Sequence, residues 1–178
     1  MAHIKSRIQT QILDISNNNL TEIPQFIGEL TSLRELYLFN NELTKIPESI
    51  GNLTSLRSLE LDGNALTVLP HSIGNLIELQ TFDLSYNELT DLPQTIGNLR
   101  SLQTLMIGFN ELTELPDSIG ELTSLRICYK HIKEHENAMK YLKRGKNLLE
   151  KYGKEGVINY LYQDDSYWID KARKHIYE

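Results

Sequence analysis

Leu33-Arg34-Glu35-Leu36-Tyr37-Leu38-Phe39-Asn40-Asn41-Glu42-Leu43-Thr44-Lys45-Ile46-Pro47-Glu48-Ser49-Ile50-Gly51-Asn52-Leu53 is the stretch that decides the fold, because it recurs. All five prolines of the chain lie 23 residues apart, at Pro24, Pro47, Pro70, Pro93 and Pro116. Five of the ten glycines keep the same interval, at Gly28, Gly51, Gly74, Gly97 and Gly120, as do Asn18, Asn41, Asn64, Asn87 and Asn110. Three residue types in one register over five copies do not arise by chance, and a fixed period in this range is the mark of a solenoid.

Within the unit, Leu36-Tyr37-Leu38 has the two-residue period of a strand, with its leucines inward and Tyr37 outward. The matching inward pairs are Leu13/Ile15, Leu59/Leu61, Phe82/Leu84 and Leu105/Ile107. A unit this short cannot bury its apolar side alone, so successive strands are expected to stack about 4.8 Å apart in one parallel sheet. The asparagine follows the strand, where its amide can both donate to and accept from the backbone of adjoining coils. Proline, with φ held near −65°, suits the first turn of a short outer helical segment, and glycine suits its end, where φ can turn positive. Ile46, Ile50, Leu53 and Leu56 are expected to fill the core from that outer side.

The pattern Leu-x-x-Leu-x-Leu-x-x-Asn-x-Leu, Leu33 to Leu43, resembles the leucine-rich repeat. The following Ile-Pro-x-x-Ile-Gly-x-Leu is similar to the 23-residue class of intracellular Ras-group repeat proteins and of many bacterial repeat proteins, some of them effectors delivered into host cells. The resemblance covers roughly residues 8 to 128. It implies an α/β solenoid: a curved horseshoe segment with a parallel sheet on its concave face and, usually, a protein-binding role.

The grammar fails after the fifth unit. Adding 23 to the strand positions gives Cys128 and Lys130, and adding it to Asn110 gives Lys133, so the asparagine ladder stops there. A partial sixth strand is expected near Ile127 to Tyr129, with Cys128 as a reduced thiol in an inward slot. This divides the chain into repeats over 1–129 and a different composition over 130–178. The repeats carry 7 Lys/Arg against 16 Asp/Glu; the remainder carries 11 against 8, with Trp168 and six of the nine tyrosines. Helices are expected at about Glu134 to Tyr152, Lys154 to Tyr162 and from Ser166 onward, forming an α-helical cap over the last apolar coil. At the other end only Ile4 and Ile8 are available to shield the first coil.

Composition narrows the function. A net charge of −6 argues against a general nucleic-acid binder, which needs a basic face. The single cysteine excludes an internal disulfide framework, and no apolar run approaches the length needed to cross a bilayer, so no membrane partner is expected. Lys5 and Arg7 stand where a secretory signal would have its apolar centre; the expected location is the cytoplasm, or the interior of a host cell for a delivered effector.

Strand alternation then selects the side chains that face outward on the concave side. At the strand centre they are Asp14, Tyr37, Glu60, Asp83, Met106 and Tyr129; two positions on come Ser16, Phe39, Asp62, Ser85 and Gly108; the next column is Asn17, Asn40, Gly63, Tyr86 and Phe109. None of these identities is needed to build a coil. Asp14, Glu35, Glu60, Asp62 and Asp83 form an acidic stripe, while Tyr37, Phe39, Tyr86, Met106 and Phe109 add large apolar groups. Aromatic rings rimmed by charge are what a protein interface uses. The expected function is therefore non-catalytic docking of a folded protein with a basic patch, to scaffold, inhibit or regulate it, by a chain that is monomeric on its own and needs no cofactor. The competing readings are a face that only keeps the sheet soluble, and docking through the convex side or the C-terminal helices, as an effector could use. Glu42, Glu88 and Glu111 recur in step with the repeat and are read as solvent residues.

One catalytic pattern is present literally: His131-Ile132-Lys133-Glu134-His135 matches H-x-x-E-H, a zinc-ligand spacing. It straddles the end of the repeats and lacks an assigned third ligand, so histidines at a solenoid–cap junction are the simpler reading. G-x-G-x-x-G, Walker A and G-x-S-x-G sequences are absent. The carboxylate pairs lie on an open face, without the enclosure that glycosidic chemistry needs.

Overall fold

In the computed structural model, residues 10–122 and 125–128 are described. Each coil contributes one three-residue strand: β1 (Ile12–Asp14), β2 (Glu35–Tyr37), β3 (Ser58–Glu60), β4 (Thr81–Asp83), β5 (Thr104–Met106) and β6 (Arg126–Cys128). They form a single parallel sheet in sequence order. From β1 to β5 the register is the sequence period: Leu13 pairs with Leu36, Leu36 with Leu59, Leu59 with Phe82 and Phe82 with Leu105. The central residue of each strand from β2 to β5 is buried and its two neighbours are half-exposed, the alternation that the sequence carries.

The interior is one apolar stack. Leu36, Leu59, Phe82 and Leu105 come from the strands; Ile50, Leu53 and Leu56 and their equivalents in the next two coils come from the opposite side; all are essentially inaccessible. Burying each such side chain stabilises the fold by about 1.5–3 kcal/mol, and most of that gain requires the neighbouring coil. In the first described coil, Leu13, Ile15, Leu20 and Leu30 are only partly buried.

The asparagine column closes the backbone bonds at the bend after each strand. Asn87 Nδ2 donates to Leu61 O of the preceding coil (2.9 Å) and to Leu84 O of its own (3.1 Å), while its Oδ1 accepts from Leu66 N (3.0 Å). Asn41, Asn64 and Asn110 repeat the arrangement. Asn41 Oδ1 also takes the Asn18 amide at 3.0 Å. One side chain thus satisfies peptide groups of two coils that water cannot reach.

Proline and glycine do different work from the roles expected of them. The outer segments are five-residue 3₁₀ turns, Gln25–Glu29, Glu48–Asn52, His71–Asn75, Gln94–Asn98 and Asp117–Glu121. Each proline stands just before its turn, in extended backbone with ψ near 150°, and its carbonyl accepts the amide three residues on, as in Ile50 N to Pro47 O at 3.0 Å. The glycine that follows does not adopt positive φ. It is small because the next coil is close: a Cβ at Gly51 would stand 2.6 Å from both the carbonyl oxygen and Cβ of Ser72. Lateral contact between turns, rather than backbone freedom, requires the residue.

The sixth strand also corrects an expectation. Leu105 pairs with Ile127 and Met106 with Cys128, an offset of 22 residues rather than 23. Ile127 therefore holds the register position of the inward leucines, and Cys128 that of the outward column. The segment between Leu125 and the strand is one residue shorter than its predecessors, and a shift of one residue exchanges the two faces of a strand. The helices expected over 130–178, the shielding residues Ile4 and Ile8, Tyr129, and the His131–His135 motif lie outside the described residues.

Candidate protein-binding face

The register gathers the outward residues as their spacing requires. Asp14 pairs with Tyr37, Tyr37 with Glu60, Glu60 with Asp83 and Asp83 with Met106, so residues up to 92 positions apart share one row across five strands. Glu35, Tyr37, Phe39, Glu60, Asp62, Asp83 and Met106 are half-buried in one another's company, Asp14 is exposed, and Phe109 is half-buried beside the exposed Tyr86.

The carboxylates sense each other. Burial raises the pKa of Glu60, and Asp62, Asp83, Asp14 and Glu35 raise it further through their charges. Burial and then Asp83 do the same to Asp62. The middle of the row is consequently a place where negative charge is held at some cost, which a cation would relieve. Two carboxylates also have local duties. Asp14 Oδ1 accepts from Ser16 Oγ (2.6 Å) and Ser16 N (3.1 Å), and these bonds hold its pKa below the usual carboxylate range. Asp83 Oδ1 accepts from Ser85 N at 2.8 Å. Both fasten the bend that follows their strand.

Tyr37 and Glu35 form a pair. The phenol donates to Glu35 Oε2 at 2.6 Å, and that bond, with burial and the charges of Glu35, Glu60 and Asp14, pushes the phenol pKa up to about 12. The ring of Tyr37 is thereby held in place on the face.

At the other end of the face Tyr86 and Phe109 are stacked, with ring centroids 4.1 Å apart and planes 12° from parallel. Both have left-handed backbone, φ 55° and 56°. Their column is left-handed throughout, with Asn17 at 56°, Asn40 at 51° and Gly63 at 65°. The first three residues are types that tolerate this conformation; tyrosine and phenylalanine are not. The sequence displays the column but does not announce its backbone angle. The signal available was the pattern Asn, Asn, Gly at three successive repeats, which marks a site of positive φ before the two rings occupy it.

Among the described residues, the opposite side of the solenoid presents no comparable patch. Phe26, Val68 and Ile77 are each more than half exposed but stand at three different positions of the repeat, so they are not neighbours in a column. Among the described residues no group of three or more His, Cys, Asp and Glu is placed to hold a metal ion, and no helix is long and apolar enough to cross a membrane.

Two family profiles match, "Leucine-rich repeat region" over residues 48–150, more than half of the chain, and "Leucine rich repeat" over residues 8–66. No curated protein matches. Among solved structures, a leucine-rich-repeat protein of Leptospira interrogans superposes with a TM-score of 0.64 at 40% identity, over 67% of this chain and 32% of that one. The plant peptide hormone receptor RGFR1, in complex with RGF2, gives 0.62 at 40% identity, over 67% of this chain and 20% of the receptor. The leucine-rich repeat domain of APL1B gives 0.63 at 24% identity, over 68% and 38%. This chain thus spans about a third or less of the first two proteins.

Proposed function

This chain belongs to the leucine-rich-repeat family, and on that footing we propose that it is a non-catalytic module whose sheet face, the concave side of the horseshoe, docks a folded protein carrying a basic patch. Domains of this family generally mediate protein–protein interaction. The observation that carries the finer reading is the row Asp14, Tyr37, Glu60, Asp83, Met106: residues the fold does not need, brought together by register, with the acidic middle held at a cost and aromatic rings on both sides of it. Six strands at about 4.8 Å span roughly 24 Å, enough for the ~800 Å² per partner of a standard interface. The structure of RGFR1 in complex with RGF2 supports a protein or peptide ligand for a related scaffold.

In this reading Tyr37, Phe39, Tyr86 and Phe109 supply buried area, while Glu60, Asp62 and Asp83 set orientation and association rate. Binding then blocks, scaffolds or regulates the partner by occupying its basic surface. Truncating an anchor that is a hot spot costs about 2 kcal/mol of affinity. The test is affinity for the partner with Tyr37→Ala and Phe109→Ala made separately; if neither weakens binding, the assignment fails.

A further inference from the structure

The geometry points to a seat for one arginine side chain of the partner, made by the ring of Tyr86 and the carboxylates of Asp62 and Asp83. The inference rests on the docking reading above and goes further, naming the residue that is recognised and where.

Phe109 lies flat against one face of the Tyr86 ring. On the other side the same column carries Gly63, which has no side chain. Backbone bonds fix this adjacency: Gly63 N donates to Ser85 O at 3.0 Å and Asn64 N to Tyr86 O at 3.1 Å. Tyr86 remains 52% exposed despite its stack. Its second ring face therefore has no side chain of Gly63 against it. Glycine is required at 63 twice over, by φ of 65° and because a Cβ there would stand 2.5 Å from Asn40 Oδ1. Asn40 Nδ2 donates to Asn17 Oδ1 (3.2 Å), and the Asn40 Oδ1 lies over Gly63, where it can accept.

The surroundings are negative. Asp62 precedes Gly63, and Asp83 sits one strand over with its Oδ1 bound to Ser85 N, directed toward the bend that bears Tyr86. Burial, and after it the charge of Asp83, make the Asp62 carboxylate costly to hold ionised. A planar cation with several N–H donors fits this set better than a point charge: it can lie on the ring, and its edge can meet a carboxylate and the Asn40 oxygen together. Guanidinium has that shape, and ammonium does not.

The test uses the full chain, labelled with ¹⁵N, and three blocked tripeptides, acetyl-Gly-Xaa-Gly-amide with arginine, lysine or citrulline at the centre. The expected result is saturable movement of the Gly63, Ser85 and Tyr86 amide signals with the arginine peptide, several-fold weaker binding of the lysine peptide, and no response to citrulline, which keeps the shape but lacks the charge. Tyr86→Asn and Asp62→Asn should each weaken the arginine peptide about five-fold or more. Asparagine suits the left-handed backbone, as Asn17 and Asn40 show, so the Tyr86 variant tests the ring and not the fold. Equal responses to arginine and lysine, or shifts confined to other parts of the face, would overturn the seat. If the arginine peptide fails in this way while Tyr37→Ala still weakens the protein partner, the seat is wrong and the docking reading stands; if Tyr37→Ala has no effect either, both fall.

Discussion

Tyr86 and Phe109 stack 4.1 Å apart while both hold the left-handed backbone that their residue types avoid. Left-handed φ costs a residue with a Cβ roughly 1–2 kcal/mol, and the stack returns about 0.5–1.5 kcal/mol. With two residues strained against one stack, the stack does not offset the backbone cost, so the rings are not there for stability. Tyr86→Asn should leave the free energy of urea unfolding within about 1 kcal/mol of wild type, while removing the ring from the face. A loss of several kcal/mol would show instead that the stack is part of the core.

The asparagine ladder predicts the opposite behaviour. Asn87→Ala leaves Leu66 N without its side-chain partner in a region closed to water, while Leu61 O keeps Asn64 Nδ2 (2.9 Å) and Leu84 O keeps Asn110 Nδ2 (2.8 Å). One buried donor so orphaned costs on the order of 1–3 kcal/mol, with partial relaxation, and the variant should lose about 2 kcal/mol in chemical unfolding. Glu88→Ala, one residue away and exposed, should change stability by less than about 0.5 kcal/mol.

Gly51→Ala tests the lateral contact between outer turns. Its added methyl group meets the backbone oxygen of Ser72, which cannot move without shifting the next coil. A cost of about 1–3 kcal/mol is expected from overpacking. If alanine is neutral or stabilising there, the coils are not in the close contact described, and the glycine column has another cause.

The repeat, its strand register and the identity of the outward row were legible because each follows from a period of 23 joined to strand alternation. The same arithmetic places Asp14, Tyr37, Glu60, Asp83 and Met106 in one row, as the register does. It failed where the period itself broke. Between Leu125 and Ile127 a single missing residue moves Cys128 from the inward column to the outward one, and no propensity of cysteine reveals this. Side-chain partnerships on the face were not legible either. Tyr37 bonding Glu35, and Tyr86 meeting Phe109, depend on rotamers and on a backbone angle that tyrosine and phenylalanine do not advertise. The glycines show a third limit: their spacing was plain, but the reason for them lies in the next coil and not in their own φ.

The acidic middle of the face predicts a pH signature with a definite sign. Glu60 and Asp62 have pKa values raised in the folded protein, first by burial and then by neighbouring carboxylates. Between the ordinary carboxylate range and those raised values the folded state binds more protons than the unfolded state, so their contribution to stability falls as pH rises. Above that window the penalty is present in full. Glu60→Gln and Asp62→Asn should therefore raise the thermal midpoint at about pH 7 and lose that advantage at about pH 3, where the wild-type groups are neutral in both states. The same variants should weaken binding of a basic partner, the trade expected of a surface kept charged for recognition. Lower midpoints at neutral pH would mean that these carboxylates have stabilising contacts within the chain.

The most direct measurement is a capture comparison from lysate of the source, or of its host, between wild type and a variant with Tyr37, Phe39 and Phe109 all changed to alanine, both checked for the same unfolding behaviour. Wild type is expected to retain a partner with a basic surface that the triple variant releases. A partner held equally by both would contradict it, and would move the binding site away from the sheet face.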